Sequence, residues 1–313
     1  MTEIQEPKFG KNQNSQSPPM PLRPAFDPVA LAAETERAVC QGNKRKYLKF
    51  GSTINYTGIA TGYAVGCCLR CIFCWASETR DQYMQEATYY SPQEVYDRLS
   101  AIARKKRLKQ LRISDGEPTI GKSHLLELLE LVERSDFKRF VLETNGILLG
   151  LDRAYARDLA AFKKVWVRVS IKAGTPEAFA RKTGAIAEAF EYPFQALRYL
   201  KDEAIDVGVA AMSADPRFMD PLERVSLIGK LAAIDPRLVL NLEEEMVILY
   251  TDTLKRLKAM GWNYHRDQLH VLQKLPFLKN ILQLSYRPIA SLAQKKFDRG
   301  FTRKAIKELF LYK

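Results

Sequence analysis

Val165-Trp166-Val167-Arg168-Val169-Ser170-Ile171-Lys172 alternates β-branched apolar residues with polar or aromatic ones at a strict period of two. Successive side chains of a strand point to opposite faces of its sheet. One face of this segment is therefore Val165, Val167, Val169 and Ile171, suited to packing on helices. The other carries Trp166, Arg168, Ser170 and Lys172 and is expected to line an interior. Unpartnered cations are costly there, so an anionic ligand is the expected partner of Arg168 and Lys172.

Strand and helix patterns alternate on both sides of this segment. Strands are predicted at 55–63, 110–114, 138–143, 165–171, 205–211 and 238–242. A short helix is expected from Asp27-Pro28 to about Cys40, with Lys44-Arg45-Lys46 punctuating its end. Ser91-Pro92-Gln93-Glu94 is a capping box that opens a helix through about Lys105. Further helices are predicted over 123–133, 153–162, 176–182, 193–203 and 221–232. The alternation specifies an α/β chain with a parallel sheet covered by helices, a partial (β/α)6 TIM-like barrel. With 313 residues, 46% of them hydrophobic, the chain suffices for one sizeable core.

Ligands of such barrels sit at the C-terminal strand ends, and the polar oddities of this sequence fall there. Cys67, Cys68, Cys71 and Cys74 follow the first strand and Asp115-Gly116-Glu117-Pro118 the second. Thr144-Asn145-Gly146 ends the third, and Ser170 and Lys172 end the fourth.

The cysteine loop reads Gly66-Cys67-Cys68-Leu69-Arg70-Cys71-Ile72-Phe73-Cys74-Trp75, four of the chain's five cysteines within eight residues. Disulfide frameworks spread their cysteines along a chain; this cluster reads as metal binding. Thiolates suit iron–sulfur clusters and zinc. A structural zinc site takes four ligands, usually as two pairs. A ferredoxin run fits at Cys68, Cys71 and Cys74 but fails at Glu78. What remains is a three-cysteine site with an open fourth position. By spacing alone either Cys67 or Cys68 can be the first ligand. Cys40 reads as a packed thiol, Trp75 as a hydrophobic cover, and His124, His265 and His270 as structural.

Cys67-x3-Cys71-x2-Cys74, with Phe73 at the aromatic position, resembles the C-x3-C-x-Φ-C signature of the radical S-adenosylmethionine (SAM) superfamily. Gly116-Glu117-Pro118 is similar to that family's GGEP motif, with Asp115 replacing the first glycine. Thr144-Asn145-Gly146 resembles the TNG that often ends strand three, and Ser170 and Lys172 resemble strand-four residues that contact SAM. The resemblance covers about residues 50–245. It implies a radical SAM barrel holding one [4Fe–4S] cluster on Cys67, Cys71 and Cys74. It also implies SAM contacts at Phe73, Gly116, Glu117, Asn145, Ser170 and Lys172. The implied activity is reductive cleavage of SAM to a 5′-deoxyadenosyl radical, with flavodoxin or ferredoxin as reductant. It leaves the substrate and any catalytic residue beyond cluster and SAM unassigned.

Two branches share features with the chain. Phe73-Cys74-Trp75 is similar to the loop of the tRNA wyosine-forming enzymes, although Ala76 stands where they carry arginine and only Cys40 is available upstream for a second cluster. The glycyl-radical activating enzymes share the small barrel and single cluster. RNA and a protein are thus the implied substrate partners. A rival from another class is a non-catalytic, metal-stapled nucleic-acid-binding protein, against which the missing fourth ligand speaks.

Charge is uneven. Formal net charge is +13, and residues 251–313 hold 14 Lys/Arg against 4 Asp/Glu. Such a block suits a polyanion or a solvated surface. Within it, Phe297, Phe301 and Leu309 recur at helical spacing among Lys295, Lys296, Arg299, Arg303, Lys304 and Lys307. The expected organisation is a proline-rich extended segment over 1–26, a helix and linker over 27–49, the barrel over 50–250 and a basic, mainly helical extension over 251–313. No apolar run is long enough to span a membrane, and the N-terminus has neither the basic nor the apolar region of a signal peptide. A cytoplasmic, membrane-free protein is expected.

Overall fold

The computed structural model describes residues 25–76, 79–80 and 87–262. The proline-rich start, His265, His270 and the apolar stripe at Phe297, Phe301 and Leu309 lie outside the described residues.

Helix α1 (Pro28–Val39) is capped by Asp27, whose side chain accepts from the Val29 amide. The chain then forms β1 (Cys40–Gln41), β2 (Lys44–Thr53) and β3 (Ile59–Ala64). After the cysteine loop come β4 (Thr88–Tyr90), α2 (Pro92–Lys105), β5 (Gln110–Asp115), α3 (Lys122–Glu133) and β6 (Arg139–Thr144). Next are α4 (Ile147–Leu151), α5 (Arg153–Leu159), β7 (Val165–Ile171), α6 (Pro176–Thr183), α7 (Glu191–Asp202) and β8 (Asp206–Ala211). Helices α8 (Pro221–Ile234) and α9 (Pro236–Leu240), strand β9 (Glu243–Glu244) and helix α10 (Thr251–Ala259) complete it.

Strands β3, β5, β6, β7, β8 and β9 pair in parallel in that order. The antiparallel strands β1, β2 and β4 extend the β3 edge. No pairing joins β9 to β1 among the described residues, so the sheet is an open, partial barrel flanked by helices. Val165, Val167, Val169 and Ile171 are buried in the core with Leu125, Leu128, Leu197 and Leu200 of the covering helices. The apolar face read from β7 is thus the packed one.

Three local expectations are corrected. Lys44-Arg45-Lys46 does not end a segment but starts β2, with Arg45 and Tyr47 wholly buried. Residues 55–57 form a turn, and the first barrel strand begins at Ile59. The sixth strand is Glu243–Glu244, because Asp235 caps a helix through Leu240 by accepting from the Arg237 amide.

The opposite face of the sheet is polar and largely self-satisfied. Arg112 donates to Glu143 at 2.9 Å, Thr61 at 3.0 Å and Thr53 at 3.2 Å. Glu143 also accepts from the Tyr56 hydroxyl at 2.6 Å and Ser114 at 3.0 Å. Arg168 donates to Glu243 at 2.8 Å and Glu245 at 2.6 Å. Its expected anionic ligand is therefore replaced by two carboxylates of the chain itself, delivered at the end of the barrel.

A second buried pair joins the helices. Lys182 of α6, fully buried, donates to both oxygens of Glu223 of α8 at 2.7 and 2.9 Å. Removing one partner of such a pair leaves an uncompensated buried charge. Glu223→Ala is expected to lose about 3–5 kcal/mol in urea unfolding. Ser91→Ala, which deletes only the α2 cap, is expected to lose about 1 kcal/mol.

Candidate active site

The C-terminal ends of β3, β5, β6 and β7 meet at one rim, as a parallel sheet requires. The backbone joins the first two. Gly116 donates to the Ala64 carbonyl at 3.0 Å and Glu117 to the Gly66 carbonyl at 2.8 Å. This contact needs glycine at 116, where a Cβ would lie 2.4 Å from the Gly66 carbonyl oxygen. Gly66 itself has a φ of 85°, a left-handed value that glycine adopts without strain.

Glu117 joins the second and third ends. Its side chain is buried and accepts from the Thr119 amide at 3.1 Å, the Thr119 hydroxyl at 2.7 Å, the Thr144 hydroxyl at 2.6 Å and the Asn145 amide at 2.8 Å. The carboxylate thus sits inside the wall of the rim. Arg45, from behind, donates to the Glu117 carbonyl at 2.8 Å.

Asn145 then reaches the cysteines. Its side-chain nitrogen Nδ2 lies 3.2 Å from the Cys68 sulfur and 3.8 Å from the Cys67 sulfur. At the end of β7 the Lys172 ammonium donates to the Ser170 hydroxyl at 2.6 Å. Phe73 is buried, its ring edge-on to Phe218 with centroids 5.0 Å apart. Trp75 is half exposed. His124 is buried between the Tyr47 hydroxyl at 2.9 Å and the Asn43 carbonyl at 2.7 Å, a structural residue as expected.

All five cysteines are free thiols. The Cys68 thiol donates to Cys67 and holds it down at about 7. Burial pushes Cys71 up to about 12, opposed by the Lys172 and Arg80 cations. Cys74 is raised by burial and lowered by Arg80 and Lys172. Lys172 is thus close enough to act on Cys67, Cys71 and Cys74 alike. Among the described residues no three His, Cys, Asp or Glu side chains converge on a single metal ion. An iron–sulfur cluster spreads its thiolates over different irons and does not require that convergence. Soft thiols with an amide donor and an ammonium on their sulfur side are a donor set such a cluster fits.

A family model for the radical SAM superfamily matches residues 63–217, a span that holds the cysteine loop, the Gly116 turn, the Thr144–Gly146 turn and β7. The chain belongs to the radical SAM superfamily. Solved structures similar to this radical SAM superfamily chain include SuiB of Streptococcus suis bound to S-adenosylmethionine. That likeness is at 14% identity over 71% of this chain and 46% of SuiB, with a TM-score of 0.48. TYW1 with a lysine-pyruvate adduct bound is similar at 17% identity over 77% of this chain and 91% of its own, with a TM-score of 0.44. Spore photoproduct lyase complexed with a dinucleoside spore photoproduct is similar at 15% identity over 70% and 66%, with a TM-score of 0.48. The chain spans less than half the length of SuiB. Sequence comparison with curated proteins gives no match. Among the described residues no helix is long and apolar enough to cross a membrane.

Sequence reading missed Arg45, Arg70, Arg80 and Arg256, all of which bond backbone carbonyls around this rim. Arg70 and Arg80 lie in or beside the cysteine loop, where a basic residue could have been weighed. Nothing local marks Arg45 or Arg256.

Asp115 stands where the family motif has glycine, and its φ of 80° is left-handed. One carboxylate oxygen is buried without a hydrogen-bond partner among the described residues, and burial pushes the group up to about 7. Between the ordinary value of 3.8 and about 7 the folded chain holds more protons than the unfolded chain. Stability from this group therefore falls as pH rises through that window. Asp115→Asn keeps the left-handed tolerance and removes the titration. It is expected to flatten this part of the pH profile in urea unfolding at about pH 5 and about pH 8, and to be the more stable form at the higher pH.

Proposed function

We propose that Cys67, Cys71 and Cys74 hold one [4Fe–4S] cluster, and that the rim binds SAM for reductive cleavage and hydrogen abstraction from substrate. The observation that carries this reading is the Asn145 side-chain amide on the Cys67 and Cys68 sulfurs at the rim where the ends of β3, β5 and β6 meet, with Lys172 acting on Cys67, Cys71 and Cys74 from β7. Cluster and SAM together supply one-electron cleavage of the sulfonium to a 5′-deoxyadenosyl radical.

The chain's own residues do the rest. Cys67, partly exposed at the rim, suits the first ligand better than Cys68, which is wholly buried with its sulfur on Asn145. Gly116 presents a side-chain-free backbone at the end of β5, and Ser170 and Lys172 offer a hydroxyl and an ammonium at the end of β7. Lys172 pairs with no carboxylate among the described residues and suits the SAM carboxylate. Glu117 fixes Gly116 and Asn145 in register, its own carboxylate taken up by the wall. Phe73, buried against Phe218, keeps water from that part of the loop. A flavodoxin or ferredoxin would deliver the electron in a cytoplasmic setting.

For the substrate, the 14 Lys/Arg against 4 Asp/Glu over residues 251–313 favour a polyanion, and RNA is the proposed class. Activation of a protein partner is the alternative the experiment separates. Anaerobically reconstituted protein is expected to bind about four irons per chain. Cys71→Ala and Cys74→Ala are expected to abolish that binding. With dithionite and SAM the parent should release 5′-deoxyadenosine. Stoichiometric zinc with no deoxyadenosine would favour the non-catalytic nucleic-acid binder. Lys172→Ala is expected to keep the iron and weaken SAM binding. A titration with total tRNA at two salt concentrations should show affinity falling steeply with salt. No binding at low salt would turn the substrate reading to protein.

A further inference from the structure

The polar face of the sheet satisfies itself at Thr61, Arg112, Ser114 and Glu143. Beside them, toward the rim and the β2 edge, three groups stay out of the network. No side-chain hydrogen bond or ion pair ties Lys49, Tyr63 or Asp115 among the described residues.

Strand register brings the three together. Lys49 lies opposite Tyr63 across β2 and β3, and its ammonium sits 5.1 Å from the centroid of the Tyr63 ring. Tyr63 alternates with Thr61, which bonds Arg112, so its ring is on the polar face. On β5, Ser114 pairs with Tyr63 and Asp115 with Ala64. Strict alternation from the buried Leu111 and Ile113 would carry residue 115 to the helix-covered face. The left-handed φ of 80° at Asp115 breaks that alternation. Burial acts most strongly on its carboxylate, and the charges that act on it are those of Lys49, Arg112 and Glu143. Asp115 in turn adds to the rise that burial imposes on Tyr63. The carboxylate therefore belongs to the polar face.

This placement costs stability twice, through a side chain in the left-handed region and through a buried oxygen without a hydrogen-bond partner. The rim turn needs neither, because Gly116 and Glu117 make its backbone contacts. Glycine, which the family motif carries at this position, would avoid both costs. Residues that strain a structure without serving its packing mark functional places.

The chemistry of the three groups defines what they take. An ionised carboxylate only accepts hydrogen bonds, a phenol donates or accepts, and an ammonium attracts an anion. Within a polyanionic substrate, N–H donors next to an anion are what a nucleotide with an exocyclic amino group offers. Cytosine is the direct case: its N4 amine pairs with a carboxylate, whereas uracil presents an acceptor there.

We propose that Asp115, Tyr63 and Lys49 form a base-recognition subsite beside the rim, in which Asp115 accepts from the exocyclic amino group of a nucleobase and Lys49 holds the adjoining phosphate. Tyr63 forms the wall between the two contacts. The assignment rests on the RNA reading proposed above and names what that RNA presents to the barrel.

The test uses the full chain at about pH 8, where Asp115 is largely ionised. Fluorescence anisotropy is measured at low salt with labelled oligomers of cytidine and of uridine, each about ten nucleotides long. The parent should bind the cytidine oligomer about tenfold more tightly than the uridine oligomer. Asp115→Asn presents donor and acceptor alike and should bring the two affinities within about twofold of each other. Asp115→Gly should lose the preference as well, and it serves alone if Asp115→Asn does not fold. Lys49→Met should weaken both oligomers equally and reduce the salt slope by about one. A merely structural Asp115 would leave the cytidine-to-uridine ratio parental in both variants, which overturns the base contact. A parental salt slope in Lys49→Met overturns the phosphate contact. Equal affinity of the parent for the two oligomers, or binding of total tRNA alone, overturns the subsite and leaves the RNA reading standing. No binding of either oligomer or of total tRNA removes the RNA reading and the subsite together.

Discussion

A buried carboxylate is the constraint on which the rim depends. Glu117 is withdrawn from water and compensated by four donors from two neighbouring strand ends. A buried charge is tolerable only when hydrogen-bonded, so this one fixes the turn after β5 against the turn after β6. Once they are fixed, the Gly116 and Glu117 amides hold the start of the cysteine loop by its backbone, and Asn145 can lay its amide on the sulfurs.

The same accounting runs through the barrel interior. Arg112 is matched by Glu143, and Arg168 by Glu243 and Glu245. Lys172 differs. Its only hydrogen bond among the described residues is to the Ser170 hydroxyl, and its charge falls on the thiols of the loop. With Arg112 and Arg168 paired to carboxylates, the Lys172 ammonium is left at the rim with no carboxylate beside it among the described residues. A radical SAM enzyme needs such a place for a carboxylate-bearing cofactor.

The arginines around the loop put the same physics to a different use. They hold carbonyl oxygens of the loop, which fixes its geometry. Arg80 also opposes, without overcoming, the rise that burial imposes on Cys71 and Cys74.

The sequence by itself determined the strands that alternate at period two, the Ser91 and Asp27 caps and the cysteine spacing. It also ordered the polar turns along successive strand ends. All of these rest on neighbours within a few residues. It determined less at β2, where Lys44, Lys46 and Lys49 mask the buried Arg45 and Tyr47. Asp235-Pro236 carried a legible helix start that outweighs the apolar run behind it. The partner of Arg168 lies 75 residues on, and that of the Cys74 carbonyl 182 residues on. Only the tertiary structure could decide these. Whether a buried cation meets a carboxylate, a carbonyl or a ligand depends on which distant segment the chain path delivers beside it, and no local pattern encodes that path.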